Sequence, residues 1–356
     1  MASGHLILYF RSKLLRWHKN ENKRTLPWKG EKDPYRIWLS EIILQQTRAE
    51  QGLPYYQKFI ETYPNVFALA QATTDEVLKL WQGLGYYSRA RNLHATAIKV
   101  ANEFKGIFPK NFAELKKLKG IGNYTAAAIA SFAYGEPVAV VDGNVSRVLS
   151  RFFGIEHEIN SSEGRKLVDE LAQRLVCKKQ PGAFNQAAMD LGATICTPRT
   201  PSCTACPLKL RCKALKLGKV HLLPVKQQRV GKKKRIFIYF IMVCNGKTYI
   251  RQRRKNDIWK GLFEPPAVEI TGQTNYNIQT IAEDYFKESF SEPPECTTYR
   301  QQLTHQSLEI HFVTLPYRES LFKKFEGENM RVNISELSKF AFPKTISLHF
   351  KKIGLL

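Results

Sequence analysis

The chain has 356 residues, enough for two domains that each bury a sizeable core and too few for three. Its 55 Lys and Arg against 31 Asp and Glu leave a net charge of +24, which points to a polyanionic partner, and no basic amphipathic helix stands out to suggest a membrane surface instead. The longest early apolar run, Leu6 to Phe10, is broken by Arg11 and is too short for a secretory leader or a membrane span, so a cytoplasmic chain is expected.

In chain order, the pattern is helical up to about Leu215, with apolar residues three and four apart. After the stretch RTLPWKG, an element opens at Asp33 as N-cap with Pro34 at the first helical position, and it is predicted to run through Tyr35 to Arg48. Tyr35, Leu39, Ile42, Ile43 and Gln46 are expected on its core face. Glu41 stands inside this otherwise apolar helix, where burial would raise its pKa toward that of a usable general acid; the alternative is a surface carboxylate paired with Arg36 or Arg48.

Next come a Gly-rich turn, GLGYYSRARN, and then LKGIGNYTA, in which Gly120 and Gly122 frame a tight turn before the Ala-rich helix TAAAIASFA. Such a turn can offer backbone N–H groups and a helix N-terminus to a phosphate, although a plain helix hairpin would look the same. Asp142, in VAVVDGNVSRVL, is placed to N-cap the helix that follows it.

Seven cysteines in an intracellular chain argue against a disulfide framework. Four of them, Cys196, Cys203, Cys206 and Cys212, follow a C-x6-C-x2-C-x5-C spacing that suits either a tetrahedral zinc or a four-iron cluster; with only one C-x2-C pair, the spacing leans toward iron. Residues 216–234 turn basic and lose periodicity, which reads as an interdomain linker. Beyond it, RIFIYFIMV reads as a strand, Asn245-Gly246 as a hairpin turn and KTYIRQRR as the returning strand, with a further strand at Leu308 to Leu315. The second half is thus a smaller α+β domain.

The cysteine loop, the Gly-Ile-Gly hairpin with its downstream Asp142, and DPYRIWLSEIILQQT together resemble the helix-hairpin-helix glycosylases of the endonuclease III superfamily, and within it the MutY family of adenine glycosylases. The resemblance implies a mainly α catalytic domain over 1–215, built of a six-helix barrel module and an iron–sulfur module holding one [4Fe-4S] cluster, and a Nudix-like α+β domain over 235–356 that reads the lesion. It implies a monomer acting in base excision repair in a bacterial-type cytoplasm on double-stranded DNA, removing adenine paired with 8-oxoguanine or guanine. A sliding clamp or other repair partner is not readable from the sequence.

By the same resemblance Glu41 protonates the departing base, Asp142 stabilises the sugar cation, Asn144 orients sugar or base, and Tyr124 walls the pocket where a bifunctional lyase carries a lysine, so hydrolysis is monofunctional. Arg24, Leu26, Trp28 and Asp190 match positions that shape the adenine pocket, with Asp190 one methylene shorter than the glutamate of many relatives. Gln46 matches a residue that enters the duplex and Tyr86 one that stacks beside the lesion, contacts that offset the few kcal/mol lost when the adenine is extruded. Leu303, Thr304 and His305 stand where relatives carry the Phe-Ser-His loop that probes the oxidised guanine. The competing readings are an endonuclease III-like glycosylase and lyase for another base, and a non-catalytic DNA-binding iron–sulfur protein. For the second domain, Glu283 and Asp284 are too few acidic residues for a working Nudix metal helix.

Overall fold

A computed structural model describes residues 3–227, 231–271, 276–316, 318, 321, 323, 325, 327 and 329–356. The chain divides into two units, Met1–Gln71 with Asn92–Arg229, and Ala72–Arg91 with Val230–Leu356.

The first unit is helical: α1 (Gly4–Asn20), α2 (Pro34–Leu44), α3 (Ala49–Thr62) and α4 (Val66–Gln71), then α6 (Ser88–Glu103, whose first turn belongs to the second unit), α7 (Phe112–Leu115), α8 (Asn123–Ala133), α9 (Gly143–Phe153), α10 (Ser162–Leu175), α11 (Pro181–Thr194) and α12 (Lys213–Lys216). The helix α5 (Thr74–Leu80) lies in residues 72–91 and packs in the second unit, where Lys79 Nζ donates to the Phe340 carbonyl at 2.8 Å and Gln82 Nε2 to Ser347 Oγ at 2.6 Å.

Asp33 caps α2 by accepting from Tyr35 N–H at 2.9 Å, and Pro34 opens it. The helix is buried from Tyr35 to Ile43 except at Arg36, so it is a central rod that can hold Glu41 away from water. It stops at Leu44, short of the predicted Arg48, because Gln45 leaves helical geometry and Gln46 adopts φ +56°. Gln46 is therefore exposed and leaves the predicted core face. The neighbouring α8 buries Thr125 to Ser131, and its small side chains let it lie close against α2. Asp142 caps α9, and Gly154 at φ +66° ends it. Phe10, Leu14 and Trp17 of α1, Phe152 of α9, and Phe184 and Leu191 of α11 share one core.

Within the 216–234 stretch the chain is not a free tether: Val220 and Leu223 are buried with Ala214 of α12, and the Leu223 carbonyl accepts from Arg151 Nε at 2.9 Å.

In the second unit a four-stranded sheet runs in the order β4 (Ala267–Ile270), β1 (Lys233–Ile241), β6 (Gln306–Thr314), β5 (Glu295–Gln302), with β1 parallel to β6 and the other pairs antiparallel. A second sheet orders β3 (Phe263–Glu264), β2 (Lys247–Gln252), β7 (Met330–Asn333). The helices α13 (Ile278–Phe286) and α14 (Lys344–Lys352) complete the α+β unit. Ile236, Ile238 and Phe240 of β1 join Phe286 and Val313 in its core, while Tyr239, on the opposite face, stacks on Phe312. The strand is buried on both faces, which explains its unbroken apolar run.

The Asn245-Gly246 turn forms, with both residues at positive φ and one bridge between Cys244 and Lys247. The returning strand does not pair with β1 as predicted. Both edges of β1 are taken by β4 and β6, and β2 crosses to the other sheet to pair with β3 and β7. The further strand predicted at Leu308 to Leu315 forms as β6. On α13, Glu283 accepts from Gln279 Nε2 and from Phe290 N–H, both at 3.1 Å, which ties it to the end of its own helix.

Candidate active site and DNA-contacting elements

The buried rod α2 brings Glu41 to 8% exposure beside Tyr124 of α8. Burial and the negative charge of Asp142 both favour the protonated acid, against one hydrogen bond from the Tyr124 hydroxyl, and the balance lifts its pKa to about 7. Arg36 does not neutralise it, because its guanidinium lies 3.6 Å from Glu31 and 3.9 Å from Asp33. Burial keeps the Tyr124 phenol protonated far above the usual range, and the hydroxyl also reaches Met189 Sδ at 3.6 Å.

Asp142 shares a cavity with Tyr124, and its negative charge acts on both Tyr124 and Glu41. Its Oδ1 accepts from Val145 N–H at 2.7 Å and its Oδ2 from Asn144 Nδ2 at 2.8 Å. Burial raises its pKa, while those hydrogen bonds and the charge of Arg147 pull the other way and favour the carboxylate. Asn144 is held from its other end by Arg147 Nη2, 2.8 Å from its Oδ1. Gly192 is what lets α11 approach this point, since a Cβ there would lie 2.7 Å from Asn144 Cβ.

The two carboxylates open into different cavities. Glu41 lines one of about 250 Å³ with His18, Trp28, Lys29, Ser40 and Gln186, whereas Asp142 and Tyr124 line another of about 680 Å³ with Asn123, Val141 and Ser146. The first is large enough for a purine and walled by an indole, which suits a planar aromatic ligand. Of the residues matched to the adenine pocket, Trp28 lines this cavity and Leu26 is half-buried. Asp190 is fully buried, where it accepts from Arg24 Nη1 at 2.8 Å, Asn22 Nδ2 at 2.8 Å and Gln186 Nε2 at 3.0 Å, with Lys29 Nζ 3.2 Å away. It anchors the segment carrying Arg24 to Lys29. His18 and Gln186 escaped the sequence reading, since only the packing of α1 and α11 brings them to Glu41.

Gly120, at φ +79°, turns the chain into α8, whose N-cap Gly122 places no side chain over the first helical amides. That turn leaves a helix N-terminus open to an anion. A Cβ at Gly120 would lie 2.7 Å from Asn92 Cβ in addition to the left-handed strain. Gly120→Ala is expected to destabilise the protein by about 2 kcal/mol. A urea melt reads this directly, and an unchanged midpoint would mean that the turn relaxes without cost.

Cys196, Cys203, Cys206 and Cys212 line one small cavity of about 30 Å³ together with Arg151 and Lys209. Among the described residues no three His, Cys, Asp or Glu side chains converge on a single-ion position. Four thiols around one cavity, with Arg151 and Lys209 beside them, are a donor set that would suit an iron–sulfur cluster and its negative charge. Arg151, buried on α9, donates to the Thr197 carbonyl at 2.7 Å and approaches Cys196 Sγ at 3.4 Å, while Arg147 Nε donates to the Cys196 carbonyl at 2.7 Å. Two arginines one turn apart thus tie the cysteine loop to the helix that begins at Asp142. Their i, i+4 spacing is the signal that could have found them.

In the second unit Tyr86 is 44% exposed at φ +47°, and its hydroxyl hydrogen-bonds Thr304 Oγ1. Leu303, Thr304 and His305 form the turn between β5 and β6, closed by Leu303 N–H to the Gln306 carbonyl at 2.8 Å. These four residues line a cavity of about 460 Å³ with Ile258 and Trp259. Non-glycine residues at positive φ are uncommon, and Gln46 and Tyr86 are two of them.

Residues 39–176 match the family described as the HhH-GPD superfamily base excision DNA repair protein, and residues 238–351 match the NUDIX domain. The chain is 40% identical to the adenine DNA glycosylase of Buchnera aphidicola subsp. Baizongia pistaciae over 261 residues, covering 72% of this chain and 73% of that one. It is 32% identical to the adenine DNA glycosylase of Buchnera aphidicola subsp. Schizaphis graminum over 90% of this chain and 91% of the relative. Among solved structures, a thermostable thymine-DNA glycosylase aligns with a TM-score of 0.55 and 32% identity over 59% of this chain and 97% of that one.

Proposed function

The chain belongs to the adenine DNA glycosylase family of base excision repair enzymes, and on that premise we propose that it removes adenine standing opposite 8-oxoguanine, or opposite guanine, in duplex DNA by monofunctional hydrolysis. The observation that carries the reading is Glu41, a buried carboxyl with a pKa of about 7 on a purine-sized cavity, which meets the Tyr124 hydroxyl and feels the charge of Asp142. Its residues divide the work by environment.

The adenine leaves the stack and enters the Glu41 cavity, with Gln46 and Tyr86 filling the duplex. Glu41 gives its proton to the base at N7. The C1′–N9 bond breaks with its electron pair into the purine, and the carboxylate of Asp142 stabilises the sugar cation, with Asn144 and Arg147 holding that carboxylate in place. Water attacks C1′ and yields its proton to Glu41, which restores the acid. Tyr124 stands where a lyase needs an amine, so the phosphodiester backbone stays intact.

In this reading the turn at Gly120 and Gly122 holds a phosphate, and the four cysteines hold one [4Fe-4S] cluster that, when bound, supplies a rigid charged node at the base of α9. Leu303, Thr304 and His305 read the base opposite adenine. Thr304 keeps a hydroxyl able to accept from the extra N–H of the oxidised base, and His305 keeps a ring.

Single-turnover cleavage of duplexes with adenine opposite 8-oxoguanine, guanine or thymine tests the proposal. Adenine loss fastest opposite the lesion, with breaks appearing after alkali, is the expected result; strand breaks without alkali would remove the monofunctional reading. Thr304→Ala combined with His305→Ala is expected to cut the preference for lesion over guanine by about tenfold, the value of one or two lost hydrogen bonds. An unchanged preference would move the lesion-reading role elsewhere.

A further inference from the structure

His18, in the last turn of α1, lines the cavity of Glu41 with Trp28 and Gln186. Its Nδ1 lies 3.0 Å from Asn22 Nδ2. The orientation of that amide is fixed from two sides. Asn22 Oδ1 accepts from Arg24 N–H at 3.1 Å, and Asn22 Nδ2 donates to Asp190 Oδ2 at 2.8 Å. Asp190 is paired with Arg24 and Lys29, so it is an ionised carboxylate that can only accept. An amide nitrogen therefore faces His18, Nδ1 must be the acceptor, and in the neutral ring the proton sits on Nε2. Burial and the charge of Lys29 both favour that neutral ring. Asp190 orients Gln186 in the same way: its amide nitrogen is taken, and Oε1 is left as an acceptor.

We propose that His18 is a specificity-determining residue that donates from Nε2 to a ring nitrogen in the six-membered ring of adenine, with Asp190 and Asn22 fixing its tautomer; the proposal rests on the reading that this cavity holds the extruded adenine. Adenine carries lone pairs at N1 and N3, where a fixed N–H donor finds an acceptor. Guanine carries hydrogen on N1, so a donor aimed there meets a donor, and its C2 amino group crowds the approach to the lone pair at N3. A buried donor left unpaired is worth about ten- to a hundredfold in discrimination. The chain positions this donor through a buried carboxylate two hydrogen bonds away, so the choice of base is built into the wall before the substrate enters.

The test compares full-length, cluster-replete wild type, His18→Phe and His18→Gln in single-turnover excision. The duplexes carry adenine, 1-deazaadenine or 3-deazaadenine opposite the same partner base. His18→Phe keeps a planar ring and loses the donor, and it is expected to slow adenine excision about tenfold, with His18→Gln recovering part of the loss through its amide. One of the two deaza analogues, the one missing the paired nitrogen, is expected to show no further loss on the Phe substitution. The intrinsic effect of the missing nitrogen on the leaving group cancels in this cycle. Equal slowing of adenine and both analogues by His18→Phe, or no slowing of adenine, would overturn the proposal. Wild type inactive on adenine would overturn the reading of the cavity and the role of His18 with it.

Discussion

Replacing Glu41 with Gln is expected to lower single-turnover adenine excision by about 10²- to 10⁴-fold while leaving duplex affinity nearly unchanged. Glutamine keeps the shape and the contact with Tyr124 but cannot deliver a proton to the purine. Affinity measured by gel shift should hold, because Gln46, Tyr86 and the Gly120 turn, the elements proposed to meet the duplex, lie outside α2; a parallel loss of binding would make the residue structural. The pH profile carries the same assignment. The acid form is needed, and it is depleted as pH rises through about 7, so the wild-type rate constant should fall on the alkaline side from there. Linkage gives stability the same sense of pH dependence. The folded pKa lies above that of an unfolded glutamate, so the contribution of Glu41 to stability is full below about 4.5 and is lost as pH rises through 7. Glu41→Gln should therefore stabilise the protein by about 2 to 3 kcal/mol at pH 8 and by little at pH 4.5. Thermal melts at the two pH values separate this from a simple packing effect.

Glu41 could be singled out in the sequence because a lone carboxylate in an apolar, well-capped helix is a local contradiction, and such contradictions gather at functional sites. The cysteine loop was legible for a similar reason, since four of the seven cysteines crowd into one short stretch, and the structure gathers those four around one cavity. Gln46 was not placed correctly, because helical periodicity carries through LQQT while the backbone leaves the helix at Gln45 and turns left-handed. The β1 to β2 hairpin failed on a different point: a turn signal specifies the turn, but which edge the next strand takes depends on β4 and β6 already occupying both sides of β1. His18 and Gln186 left no local trace, and Arg147 left only the i, i+4 spacing that it shares with Arg151. Each acts across the contact between helices far apart in the chain, and only the closeness of α1, α9 and α11 gives them their partners.

Asp142 caps α9 and, in the proposed mechanism, also stabilises the sugar cation, two jobs that substitution can separate. As N-cap of α9 it accepts from Val145 N–H, and asparagine caps nearly as well as aspartate, so Asp142→Asn should fold with a melting temperature close to wild type. Its charge is the other job. The neutral amide cannot stabilise the developing sugar cation, and loss of such preorganised electrostatic stabilisation is worth about 10²- to 10³-fold in rate. Asp142→Asn is therefore expected to retain stability and duplex binding but to lose excision by that factor. Asp142→Ala should add a loss of about 1 kcal/mol in stability from the missing cap. Both variants lose the charge and the hydrogen bond from Asn144 Nδ2, and they differ at the cap, so their shared loss of rate belongs to the carboxylate and their difference in melting to the helix. An asparagine variant that excises adenine at the wild-type rate would leave Asp142 a cap and send the search for the stabilising anion back to Glu41 itself.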